Sequence, residues 1–206
     1  MIYPEITVVV LAGGHSSRLG VDKAQLILDG AKTMLEHVVD RIKILSRDVV
    51  VVSNVITDVA AAHCVRDILP EGGPLCGLHS GLLAARFPHC LVVACDMPFL
   101  NLRLLRYMAE LPRDYDVLVP HLGEGPFGVE LHPLHAIYAK RCLPAIEQIH
   151  ASGSRMIRDI YPMVKTVCVE RGDVMRLDQD GLSFFNINNK QDLERARALL
   201  RECPRL

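Results

Sequence analysis

The stretch Ile6-Thr7-Val8-Val9-Val10-Leu11-Ala12-Gly13-Gly14, continuing through His15-Ser16-Ser17-Arg18-Leu19-Gly20-Val21-Asp22-Lys23, decides the reading of this chain. Ile6–Leu11 is a short run rich in β-branched residues, the signature of a strand buried on both faces. It leads directly into a glycine-rich loop carrying two cations, Arg18 and Lys23. Paired glycines let backbone N–H groups approach a ligand closely, and the cations supply charge for phosphate. The loop is not a P-loop: five residues separate Gly14 from Gly20 and Val21 follows, where that motif, G-x-x-x-x-G-K-[ST], has four between its glycines and a lysine after them. Nor does Gly13-Gly14-His15 match the G-x-G-x-x-G of dinucleotide folds. A plain strand-to-helix turn would leave Arg18, Asp22 and Lys23 unexplained.

Working outward, apolar runs recur at Val49–Val52, Cys64–Leu69, Cys90–Ala94 and Val117–Val119. Apolar residues at helical spacing lie between them: Met34, Leu35, Val38, Val39, Ile42 and Leu45, then Leu78, Leu82, Leu83 and Ala85, then Leu102, Leu105, Met108 and Leu111. This βαβ rhythm predicts an α/β fold, a mostly parallel, Rossmann-like three-layer α/β/α sandwich. After Pro120 the rhythm breaks. Residues 121–133 read as a loop or hairpin, Leu134–Ala139 as a strand, and Leu143–His150 and Arg155–Tyr161 as helices. Val164–Val169 and Ser183–Phe185 read as short late strands. Asn189-x-x-Asp192 resembles a capping box opening a final helix to about residue 201. With no repeat or linker in sight, residues 1–206 read as one domain, about 1–120 for nucleotide and about 121–206 for a second subsite.

Composition narrows the function classes. Half of the 206 residues are hydrophobic and the net charge is −1, so no basic field points to nucleic acid or to a membrane surface. No apolar run approaches the ~18 residues of a membrane span, and the first residues lack a basic leader, so a cytoplasmic protein is expected. The seven cysteines, Cys64, Cys76, Cys90, Cys95, Cys142, Cys168 and Cys203, form no C-x-x-C pair and read as free thiols in a reducing compartment.

In open parallel sheets ligands bind beyond the C-terminal strand ends, and the notable polar residues fall there: Leu11–Lys23, Ser53-Asn54, Asp67 and Asp96. Asp96 in ACDMPFL is a helix cap or turn residue, or the one carboxylate of a magnesium ion otherwise held by phosphate and water. Asp67 could assist the metal, bind ribose or base, or pair with Arg66 or Lys23. Asn54 reads a base or ribose edge, or shapes a turn. In EGGPLCGLHSG, residues 71–81, the glycines Gly77 and Gly81 either pack a helix closely or admit a flat base. Gly153-Ser154-Arg155 opens a helix that could bind an anion. Alternation in Phe185-Asn186-Ile187-Asn188 predicts Asn186 and Asn188 on one face, for a polar heterocycle or for capping the last helix. The same argument puts His132 and His135 of H-P-L-H on opposite faces, which speaks against a metal site.

Taken in order, LAGGHSSRLGVDKAQL, Asn54, Asp67 before GGPLCGLHSGL, VVACDMPFL, HPLHAIY and FFNINNKQDL resemble the molybdenum cofactor guanylyltransferases, within the wider nucleotidyltransferase superfamily. The resemblance runs from about residue 6 to 200. It implies a nucleotidyltransferase-type fold and transfer of GMP from GTP to the terminal phosphate of molybdenum-molybdopterin, with Mg²⁺ as cofactor. It implies that Leu11, Ala12 and Gly13 contact the nucleotide, with Gly14 and Arg18 continuing the loop, that Lys23 binds its phosphates, and that Asn54 and Asp67 face base and ribose. Asp96 would hold magnesium, and Asn186, Asn188 and Arg155 would lie on the pterin side. Implied partners are the two substrates and transient contacts with other molybdenum cofactor biosynthesis proteins and acceptor apoenzymes. The chain departs from the family pattern at Asn189-Lys190-Gln191, where Thr-Pro-Glu is usual. Rival readings are a cytidylyl or sugar-phosphate transferase, an NAD-dependent oxidoreductase, which lacks its glycine fingerprint here, and a nucleotide-binding protein without catalysis.

Overall fold

The computed structural model describes residues 5–13, 22–30, 32–56, 58–70, 72–125 and 128–202. The opening apolar run forms strand β1 (Thr7–Leu11), every residue buried. The next elements are the small antiparallel pair β2 (Ile27–Asp29) and β3 (Lys32–Thr33), helix α1 (Met34–Ile42), β4 (Val49–Val52), β5 (His63–Val65), α2 (Pro74–Ala84), β6 (His89–Ala94) and α3 (Leu102–Glu110). The chain continues through β7 (Val117–Gly125), β8 (Gly128–Leu131), β9 (His135–Ala139), α4 (Leu143–Ala151), β10 (Thr166–Val169), α5 (Arg171–Leu177) and α6 (Lys190–Glu202).

The main sheet has the order β10-β7-β9-β6-β1-β4-β5, with β8 paired to β7. β6, β1, β4 and β5 are parallel neighbours. β9 runs antiparallel between β6 and β7, and β10 is parallel to β7. The sheet is therefore mostly parallel, and its antiparallel members come after Pro120, where the sequence rhythm breaks. Val8 and Val10 enter one core layer with Val38, Leu104 and Met108, while Val9 and Leu11 enter the opposite layer with Leu78, Leu82 and Ile146. Alternate side chains of one strand thus feed both faces, which is why its sequence is an uninterrupted apolar run. These are the three layers expected. A third cluster ties Ile187 and α6 to Leu28 and Met34.

Helix α2 lies so close to β1 that a Cβ on Gly81 would sit 2.4 Å from Val9 Cγ1. The structure differs locally from the sequence pattern. Ser183–Phe185 is no strand: a 3-10 turn spans Leu182–Phe184 and the chain then runs as coil to α6. Its polar groups are taken by side chains instead of a ladder, the Ser183 amide donating to Asp178 Oδ2. Arg155–Tyr161 is a 3-10 segment, Ile157–Met163, with Pro162 inside it, so an α-helical bond ladder cannot run through. Helix α5 was not expected. β5 ends at Val65, earlier than the apolar run suggests, because side chains take the next amides: Asp67 N donates to Asn54 Oδ1 and Ile68 N to Ser80 Oγ. The capping box on α6 is present, Asp192 N donating to Asn189 Oδ1 and Asn189 N to Asp192 Oδ2. The six described cysteines are free. No described helix is long and apolar enough to cross a membrane.

Candidate active site

A cleft of about 560 Å³ opens at the C-terminal ends of β1, β4 and β6. The backbone builds its floor. Ala12 N donates to Val52 O at 2.9 Å and Cys95 N donates to Leu11 O at 3.0 Å, extending the sheet ladder one residue past the strands. Gly13 therefore leaves the sheet beside Asp96, exposed, with nothing within 4 Å of where a Cβ would stand. Open space at that position matches a backbone kept clear for a ligand. Gly14 and Arg18 lie outside the described residues.

Lys23 enters from a 3-10 turn, Lys23–Gln25, capped by Asp22 Oδ1 accepting from Ala24 N. Its Nζ donates to Asp96 Oδ2 at 2.8 Å and to Asn188 Oδ1 at 2.7 Å. The ion pair is well shielded, each side chain 17% exposed, where charge interacts more strongly than at an open surface. Ile187 N donates to Asp96 O at 2.9 Å. The coil before α6 thus grips both members of the pair. Asn186 and Asn188 do not act side by side: Asn186 Nδ2 donates to Phe184 O while Asn188 takes Lys23. Strand alternation does not apply because the segment is coil.

On the far side of the cleft Ser53 Oγ accepts from Val55 N and Ile56 N, forming a turn that presents Asn54. Asn54 and Asp67 bond reciprocally: Asn54 Nδ2 donates to Asp67 Oδ2 and Asp67 N to Asn54 Oδ1, both at 3.0 Å. Asp67 thus takes neither Arg66 nor Lys23 as partner in these bonds. Its other oxygen, Oδ1, is buried without a hydrogen-bond partner, and burial raises its carboxyl pKa above the ordinary range. An orphaned acceptor on a cleft wall is costly unless a ligand donor meets it. The sheet order β5-β4-β1-β6 sets Asp67 and Asp96 behind strands three spacings apart, roughly 14 Å.

The Gly72-Gly73-Pro74 turn forms a further wall, with Gly72 and Gly73 at φ +65° and +97° and Pro74 opening α2. Among the described residues no side chain caps this helix start, and Gly72, Gly73 and Pro74 line the cleft. Gly77 also lines the cleft, and a Cβ there would meet Leu11 Cδ2 at 3.3 Å and Asp67 Oδ1 at 3.7 Å. The two glycines left ambiguous by sequence therefore separate: Gly81 serves packing and Gly77 the cleft. Arg155 neighbours Gly73 rather than lining the cleft, and its Nη1 donates to His150 O and Ser154 O at the end of α4.

Cys95 adjoins Asp96 in the lining, but burial, then Asp96 and Asp22, drive its thiol pKa strongly upward. It stays protonated at neutral pH and is no nucleophile. Of the other lining residues, Asp22 and Ser53 stand out in the sequence at strand ends but without a role, and Cys95 reads there only as a free thiol. His132 and His135 do not face opposite ways. A turn at 132–135 brings both rings onto Phe184, at 4.5 and 4.6 Å between centroids. Among the described residues no group of three His, Cys, Asp or Glu side chains could hold a metal.

Comparison with known proteins bears on this cleft. The family model described as MobA-like NTP transferase domain matches residues 8–166. A probable molybdenum cofactor guanylyltransferase from Pelotomaculum thermopropionicum is 38% identical over 95% of this chain and 93% of its own. A molybdenum cofactor guanylyltransferase from Desulfosudis oleivorans is 34% identical over 95% and 96%. Among solved structures, molybdopterin-guanine dinucleotide biosynthesis protein A from Archaeoglobus fulgidus superposes with a TM-score of 0.82 at 26% identity, over 96% of this chain and 100% of that one. A 2-C-methyl-D-erythritol 4-phosphate cytidylyltransferase from Thermus thermophilus shares the fold at 19% identity, with a TM-score of 0.68 over 95% and 98%.

Proposed function

As the chain belongs to the MobA-like NTP transferase family, we propose that it transfers GMP from GTP to the terminal phosphate of molybdenum-molybdopterin, with residues 1–206 acting as one unit. The observation that carries this reading is the shielded Lys23–Asp96 pair beside the open backbone of Gly13. An oxygen of the pterin phosphate forms a bond to the α-phosphorus of GTP, the bond from that phosphorus to the β-bridging oxygen breaks, and pyrophosphate leaves with the electron pair. The attacking phosphate is ionised at neutral pH, so the site needs no general base. Positioning and charge neutralisation carry the step.

Leu11, Ala12 and Gly13 offer backbone to the nucleotide, with Gly14 and Arg18 continuing the loop. Lys23 binds phosphate and offsets charge gathering on the leaving pyrophosphate. Asn54 and Asp67 take the base and ribose side, where the orphaned Asp67 oxygen awaits a donor. Asp96 fits magnesium: it supplies one hard carboxylate in a cleft whose described residues form no full protein cage, and magnesium takes one or two carboxylates plus phosphate oxygens and water. When bound, the ion would neutralise phosphate charge. Asn188 contributes from the pterin side by holding Lys23, and Asn186 and Arg155 complete that side.

The test supplies the purified chain with Mg²⁺, molybdenum-molybdopterin and either GTP or CTP, measuring pyrophosphate release and product mass. A guanine dinucleotide formed from GTP, with little product from CTP, is the expected result. Preference for CTP would overturn the base assignment, and nucleotide binding without pyrophosphate release would overturn catalysis.

A further inference from the structure

The His132–His135 turn, which the proposed chemistry leaves unused, packs against Phe184 at the start of the coil that carries Asn186 and Asn188. Phe184 rests on both histidine rings. Beneath it His135 and Ser183 are both fully buried, with His135 Nε2 hydrogen-bonded to Ser183 Oγ at 2.7 Å. Ser183 Oγ also accepts from Asn101 N at 2.8 Å, and Ser183 N donates to Asp178 Oδ2 at 3.0 Å. Asn101 Nδ2 donates to Asp178 Oδ1 and Leu177 O. Burial pushes the His135 pKa down to about 3, so the imidazole is neutral at neutral pH and offers one donor and one acceptor.

None of these four side chains lines the cleft. The segment they hold does act on it. Directly after Ser183 and Phe184, Asn186 donates to Phe184 O, Ile187 N to Asp96 O, and Asn188 accepts from Lys23. A coil has no ladder of its own, so its anchors decide its position. One anchor is the α6 cap, where Asn188 N donates to Asp192 Oδ2. Another is Ile187, fully buried in the third core cluster, and the last is the buried group around Ser183.

We infer that His135 is a positioning residue, which through Ser183 and Phe184 sets Asn188 against Lys23 and Ile187 against Asp96, and so holds the Lys23–Asp96 pair in register with the triphosphate. The inference rests on the proposed roles of Lys23 and Asp96. Losing an anchor lets the coil shift, and a misplacement of about 1 Å far from the chemistry can cost ~10²-fold in rate.

The experiment uses the full chain with Ser183→Ala, Asn188→Ala and the double variant, measuring kcat, the KM for GTP and the thermal midpoint. Ser183→Ala should lower kcat about tenfold or more and leave the GTP KM within about threefold, a loss confined to the transition state. Asn188→Ala should also lower kcat. The double variant should fall no more than about threefold below the worse single one, because both changes break one chain of contacts. Independent, multiplying losses would overturn the inference, and so would wild-type kcat in Ser183→Ala. Losses that simply track the thermal midpoint across Ser183→Ala, His135→Gln and Phe184→Leu would overturn it too. If Lys23→Ala and Asp96→Ala keep their turnover, the reading of the site has failed. If they lose it while Ser183→Ala does not, only the positioning role has failed.

Discussion

The two sides of the cleft are held by different means. The β1–β4–β6 floor is set by the sheet itself, because Leu11, Ala12 and Cys95 continue backbone bonds already made by the strands. The coil at Asn186–Asn188 makes one backbone bond to that floor, Ile187 N to Asp96 O, and otherwise depends on side chains, from Lys23 on one flank to Ser183 on the other. A backbone-built wall tolerates side-chain change and fails when packing fails. A side-chain-built wall keeps the fold and loses its alignment when one contact is removed.

The largest effects should come where the walls meet. Lys23→Ala and Asp96→Ala should each lower turnover at least ~10²-fold, the scale of one preorganised electrostatic group, as read by pyrophosphate release. Near-normal turnover in Asp96→Ala would remove it from the metal's site. On the floor, Gly81→Ala forces a methyl against the fully buried Val9. Overpacking of that kind costs about 1–3 kcal/mol and should show in denaturant unfolding. Gly77→Ala, by contrast, should raise the GTP KM about tenfold, the scale of one methyl group in a binding pocket, while sparing stability. If both glycines acted on stability alone, Gly77 would belong to packing.

The smallest effects are pH effects. The Asp67 pKa is raised by burial, so its charged form weakens the folded state above the ordinary carboxylate range. Asp67→Asn should raise the thermal midpoint of the nucleotide-free protein near pH 7, and the gain should vanish as pH falls through that range and Asp67 protonates. Thermal scans of both proteins across pH 3–7 decide it. His135 has the opposite sense: its folded pKa lies below the unfolded one. Its contribution is intact above about 6.5 and is lost as pH falls toward 3. Acid unfolding of wild type should therefore be steeper in that window than in His135→Gln.

Much of the floor was legible beforehand. A strand buried on both faces must be apolar throughout, so β1, β4 and β6 announce themselves, and polar residues stranded at their ends stand out as Asn54 and Asp96 do. The coil wall was misread because Phe185-Asn186-Ile187-Asn188 alternates like a strand. Local alternation carries no information about whether a neighbouring strand exists to pair with. The edge strand β5 is shorter than its apolar run for a related reason: its next amides bond to the Asn54 and Ser80 side chains, not to a strand.

By itself, the sequence determined the layered parallel core and put Leu11–Gly13 and Lys23 beyond its first strand, where the cleft opens. Burial on two faces and a glycine-rich exit with cations are local patterns, written in consecutive residues. The tertiary structure decided which polar groups meet: Lys23 with Asp96 and with Asn188, Asn54 with Asp67, and His135 with Ser183. These contacts join residues far apart in the chain, and no periodicity encodes them. Their geometry exists only once the core has packed and brought the strand ends and the coil before α6 together.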